Sequence, residues 1–111
     1  MNNRTVTGSV TAAAQTVTID VSDEDEISFQ VTGTFTATLI PEVSDDGVNW
    51  VVLAVVPVDS VTPNTPVVSV SAPGAWYARN VTSFLSARLR CSAYTSGTAV
   101  VTEIAGRLGR A

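Results

Sequence analysis

Histidine and lysine are missing altogether from this 111-residue chain, and cysteine occurs once. Without histidine there is no side chain whose ordinary proton affinity suits general base catalysis near neutral pH, and Ser/His and Cys/His nucleophile pairs are excluded with it. Without lysine there is no Schiff-base chemistry. A single cysteine, Cys91, excludes an intrachain disulfide and a thiolate metal cluster; its place in the alternating run Ala87 to Tyr94 marks it as a small core hydrophobe. Long apolar runs are also missing. No stretch approaches the length needed to cross a bilayer, and Met1-Asn2-Asn3-Arg4 lacks the apolar centre of a secretion signal. The expectation is a protein made in the cytoplasm with no membrane partner. Positive charge is scarce, with a net charge of −4, which leaves a non-specific grip on phosphates little to draw on. No nucleic-acid partner is expected.

What is present is β-forming material. Valine and threonine make up about three residues in ten, and both are stiff at χ1 and suited to a pleated surface. The chain length fits one domain with a core that needs no covalent staples. The residues before position 16 are small and polar, with too little bulk to anchor a sheet, so 1–15 reads as an extended arm, 16–106 as the domain and 107–111 as a small basic tail.

Within the domain, Val17, Ile19 and Val21 alternate with polar residues, as do Ile27, Phe29 and Val31, then Phe35, Ala37 and Leu39. Acidic residues Asp23 to Glu26 occupy the turn between the first two runs. Asp46-Gly47 reads as the reversal of a hairpin between Phe35–Val43 and Trp50–Val58. Trp50 to Val56 is apolar on both faces and should be covered on both sides, with a subunit contact as one natural cover. Pro57, Pro63 and Pro66 bracket a loop. Val67–Ser71, Ala75–Val81, Ala87–Tyr94 and Ala99–Ile104 complete about eight strands, an all-β chain expected to form a single antiparallel β-sandwich or jelly roll.

Candidate chemistry is confined to a few places. Paired carboxylates for glycosidase-like work need a cleft of defined width, whereas most acids here fall in the loops Asp23–Glu26 and Asp45–Asp46. Asp20 to Glu26 supplies five carboxylates, enough oxygen ligands to make calcium the alternative reading, but it lacks the glycine and spacing of an EF-hand; it reads first as a solvated turn that discourages edge pairing. No cofactor, metal or enzymatic activity is expected. Trp50, Trp76, Tyr77 and Tyr94 suit a core or an interface, with stacking on sugar rings as the alternative. Arg79, Arg88 and Arg90 form a basic set in an acidic chain. Arg88 and Arg90 should project from one face and pair with carboxylates of a neighbouring strand or subunit. The expected interface residues are therefore Arg79, Arg88, Arg90, Trp76, Tyr77 and Tyr94.

The order of these segments resembles a class of small β-sandwich proteins encoded among the structural genes of tailed bacteriophages. In that class an F-x-V-x-G strand (here Phe29, Val31, Gly33) precedes an S-x-D-G-x-x-W hairpin (Ser44, Asp46, Gly47, Trp50). A G-x-[WY] strand (Gly74, Trp76) and an R-x-R-x-[ST]-x-Y-x-S-G-T close (Arg88, Arg90, Tyr94, Ser96, Gly97, Thr98) follow. The resemblance spans roughly residues 27–106. It implies a virion component, a capsid decoration or cement protein that trimerises on the outer shell and bridges subunits of the major capsid protein. The runner-up is a glycan-binding module of a phage tail, fibre or baseplate, because a similar hairpin occurs in discoidin-like sandwiches; the cysteine pair of discoidin domains is lacking here.

Overall fold

The computed structural model describes residues 4–58, 65–79, 81 and 84–106. Their strands are β1 (Arg4–Val10), β2 (Thr16–Asp20), β3 (Glu26–Thr32), β4 (Phe35–Ser44), β5 (Val51–Val52), β6 (Val56–Pro57), β7 (Gly74–Arg79), β8 (Ser86–Gly97) and β9 (Ala99–Gly106). They form two sheets, ordered β1-β9-β3-β7-β6 and β2-β8-β4-β5, and every pairing is antiparallel. The result is the expected all-β sandwich, with nine strands among the described residues.

The core follows from period-two alternation. Ile27, Phe29 and Val31 of β3, with Val101 and Ala105 of the adjacent β9, face Leu39 and Val43 of β4 and Ala87, Leu89 and Cys91 of β8 across the sandwich, all buried. Each valine, leucine, isoleucine or phenylalanine among them contributes about 1.5–3 kcal/mol on leaving water.

Two chain crossings between the sheets lie side by side, and both depend on glycine. Gly33 (φ 100°) links β3 to β4, and Gly97 (φ 87°) ends β8 just before β9. A Cβ on Gly33 would stand 2.5 Å from the Thr98 carbonyl oxygen. One on Gly97 would run into the Thr34 carbonyl oxygen. The Thr98 amide donates to that same Thr34 carbonyl at 3.0 Å. The glycines of F-x-V-x-G and S-G-T therefore mark a shared corner where two backbones touch.

The S-x-D-G-x-x-W segment is a turn closed by its own side chains. Ser44 Oγ accepts from the Gly47 amide (2.8 Å) and donates to Asp46 Oδ1 (2.9 Å). Asp46 Oδ1 also accepts the Val48 and Asn49 amides, each at 2.8 Å. These donors, the Asn49 amide foremost, hold the Asp46 carboxyl well below the usual carboxylate range.

Three expectations are corrected. Residues 1–15 are not an arm over Arg4–Val10, which pairs with β9 along its whole length. The reason is that a strand at a sheet edge needs little side-chain bulk when the main chain supplies a ladder of hydrogen bonds. Trp50–Val58 is not one covered strand: Val51–Val52 joins one sheet and Val56–Pro57 the other, and Val51 and Val52 are exposed. Its apolar character serves a crossing, in which Val55 is buried between the sheets. Val67–Ser71 forms no strand either. Val67 and Val70 make isolated bridges to Val55 and Leu39. The 107–111 tail and part of the Pro57–Pro66 loop lie outside the described residues.

Candidate functional site

The outer face of the β2-β8-β4-β5 sheet carries a charged cluster built on one glutamate. Antiparallel register sets Glu42 of β4 beside Arg88 of β8 and Val52 of β5, with Arg90 one step along opposite Ile40. Arg88 Nε donates to Glu42 Oε1 at 2.8 Å. Arg90 Nε donates to both carboxylate oxygens, at 3.2 and 3.1 Å. The Arg88 guanidinium also lies over the Trp50 ring, 4.0 Å from its centroid. Glu42 is only 6% exposed, so its charge is sustained by two cations rather than by water. Sequence reasoning placed Arg88 and Arg90 on one face, paired with carboxylates of a neighbouring strand or subunit; within the chain the carboxylate both meet is Glu42 of the neighbouring strand.

Beside this cluster the β4–β5 hairpin presents Val48, Val51 and Val52, 77%, 56% and 54% exposed. β5 is also a two-residue edge strand. Two arginines, a tryptophan and apolar side chains around an open sheet edge are the composition that protein interfaces favour.

The other expected interface residues lie elsewhere. Arg79 and Tyr77 are on the outer face of the other sheet, where Arg79 Nε meets Glu26 Oε2 at 3.4 Å and its guanidinium stands 5.6 Å from the Tyr77 ring centroid. Trp76 shares the inner face of β7 with buried Ala78 and packs on the core. Tyr94 packs at the glycine corner, its hydroxyl donating to the Gly97 carbonyl at 2.8 Å. The six residues thus occupy four separate places. The aromatic rings therefore do not share one flat platform.

The acidic segment is organised by Arg4, whose guanidinium donates to the Ser22 carbonyl (2.6 Å) and pairs with Asp20 (3.3 Å) and Glu24 (3.8 Å). The Ser22 hydroxyl and amide bind Asp20 and lower its proton affinity. Among the described residues, no group of three or more acids, histidines or cysteines is arranged to hold a metal ion.

One chemically unusual residue was missed from the sequence. Glu103 of β9 is fully buried, and neither carboxylate oxygen has a hydrogen-bond partner. Desolvation pushes its carboxyl up to about 9; the Leu89 amide faces it and offsets a little of this without closing a hydrogen bond. The signal was available, because Ala99, Val101, Glu103 and Ala105 share one face of an alternating strand.

No protein-family model and no curated protein matches the chain. The fold is similar to that of the SPBc2 prophage-derived protein YomS, at 9% identity and a TM-score of 0.70 over 96% of each chain. It is also similar to part of the PBSX exported protein XepA, at 16% identity and a TM-score of 0.73, covering 95% of this chain and 38% of XepA. At these identities the shared property is the architecture.

Proposed function

We propose that the protein is a structural component of a tailed-phage virion. In this reading it is a capsid decoration or cement protein that trimerises on the outer shell and bridges major capsid subunits. The observation that carries the reading is the surface around Glu42, Arg88, Arg90 and Trp50, where a pre-ordered charged cluster adjoins exposed valines at a sheet edge. A fold similar to a prophage-derived protein over nearly all of both chains supports the phage setting. The order of motifs from Phe29 to Thr98 supports the virion setting. The two turn and corner motifs are structural devices, so the reading requires no catalytic group, cofactor or nucleic acid.

The test is co-sedimentation of the purified protein with mature capsids stripped of accessory proteins, together with its mass in solution and on the shell. Saturable binding by trimers, weakened at least tenfold by Val48→Asp or Val52→Asp with the fold intact, is the expected result. A monomer that ignores capsids and binds glycans, losing them on Tyr77→Ala, would instead identify a tail, fibre or baseplate adhesion module.

A further inference from the structure

Glu103 sits where only β1 separates it from the edge of its sheet. In the register it lies between Val6 of β1 and Phe29 of β3, and its side chain points inward with Val101 and Ala105. The groups that face it offer no counter-charge. β3 presents Ile27, Phe29 and Val31; β2 presents Val17 and Ile19; β8 presents Ala87, Leu89 and Cys91, of which only the Cys91 thiol titrates. On β1 the inner face consists of Arg4, Val6, Gly8 and Val10, and Arg4 is engaged at the far end with Asp20, Ser22 and Glu24. An ionised carboxylate in this position would be unpaired in a dry core, a state costing several kcal/mol.

The elements around Glu103 are unequal in what they would lose by moving. Lifting β3 would expose Phe29, the largest of the fully buried side chains. β1 is an edge strand whose outer face is Thr5, Thr7 and Ser9 and whose inner face carries little bulk. At Gly8 it has no side chain at all, and Val17 of β2 stands only 3.0 Å from where a Cβ would lie. β1 is therefore held by its main-chain ladder, by Val6 and Val10 and by the Arg4 anchor.

We propose that Glu103 is a proton-controlled latch beneath β1: the protonated carboxyl lets the edge strand close on β9, and the carboxylate is accommodated only when β1 lifts and admits water. Burial, which pushes the Glu103 carboxyl up to about 9, places the control within an accessible pH range. Once β1 lifts, the solvated carboxyl returns towards its ordinary value of 4.5. The open form then binds fewer protons than the closed form between those limits. Opening consequently rises with pH by about tenfold per unit across the window, and levels off above it.

The experiment is amide hydrogen exchange on the full chain and on Glu103→Gln and Glu103→Leu between pH 6 and 9. Each pH is compared across proteins so that the intrinsic exchange rate cancels. Opening of the β1 amides and their β9 partners should rise by about tenfold per pH unit from pH 6 and flatten near pH 9 in the unsubstituted protein and stay flat in both variants, while β3, β7, β4 and β8 open far less at every pH. Equal pH slopes in all three proteins would overturn the latch. So would β1, β3 and β8 opening to the same extent at every pH, which would mark whole-molecule unfolding rather than release of the edge strand. If Glu103→Gln fails to fold, Glu103→Leu, which removes the charge at similar volume, makes the same comparison.

Discussion

Glu42 and Glu103 are both sealed from water, at 6% and 0% exposure, but the molecule treats them in opposite ways. Glu42 belongs to the outer face of one sheet and receives two arginines, one of them laid over a tryptophan. Glu103 belongs to the inner face of the other and receives nothing. The difference shows that burial alone does not decide a carboxyl's state; the partners its strand register supplies do. It also separates a surface ready for contact from a core group that is a standing strain on the fold.

The largest expected effect comes from turning the first site into the second. Replacing both Arg88 and Arg90 with alanine leaves Glu42 buried without a cation. Stability at pH 7 should fall by about 4 kcal/mol in urea denaturation. A loss below about 1 kcal/mol would mean that water screens the cluster, and the contrast with Glu103 would collapse.

Removing the strain at Glu103 should act in the other direction. Its folded value of about 9 lies above the ordinary 4.5, so between those values folding requires it to hold a proton that the unfolded chain has released. Stability therefore falls as pH rises through that window. The contribution is fully recovered below 4.5 and settles at its lowest above about 9. Glu103→Leu abolishes the dependence and should raise stability by about 3 kcal/mol at pH 7, with almost no gain at pH 4. Paired denaturation curves at the two pH values check both the size and the sign.

Much of this was legible in the residue order, for reasons that differ by region. Ile27, Phe29 and Val31 declare a strand because bulky residues alternate strictly with polar ones. Arg88 and Arg90 share a face for the same reason of periodicity. Asp46-Gly47 declares a turn because its side chain and φ requirement are local. Arg4–Val10 was not legible, since its threonines, serine and glycine carry no hydrophobic signal and its place depends on β9, nearly a hundred residues away in the chain. Trp50–Val58 misled because an apolar run looks alike whether it is one covered strand or a crossing between sheets. Which carboxylate Arg88 and Arg90 would choose was likewise a matter of tertiary register. Periodicity showed a face, and only the pairing of β4 with β8 supplied Glu42.

Within the Glu42 cluster, Trp50→Ala should cost about 1–2 kcal/mol, the loss of a cation–π contact with Arg88 together with part of a half-buried ring. Double-mutant cycles with Arg88→Ala would isolate the contact itself.

The smallest effect is expected at the outer face of the other sheet, where Arg79 and Glu26 stand opposite one another in register. Here the chemistry matches that of Arg88 and Glu42, an arginine Nε on a carboxylate oxygen, but the distance is 3.4 Å rather than 2.8 Å. The side chains are also more exposed, 59% for Arg79 and 31% for Glu26 against 20% and 8% for the Glu42 pair with Arg88. Water and salt can screen the first pair in a way they cannot screen the second. Arg79→Ala should therefore change stability by less than about 0.5 kcal/mol, and raising the salt concentration should erase most of that difference. A cost comparable to that of Arg88→Ala would show that distance and burial do not separate the two faces, and that the outer surface at Tyr77 and Arg79 is as firmly organised as the one around Glu42.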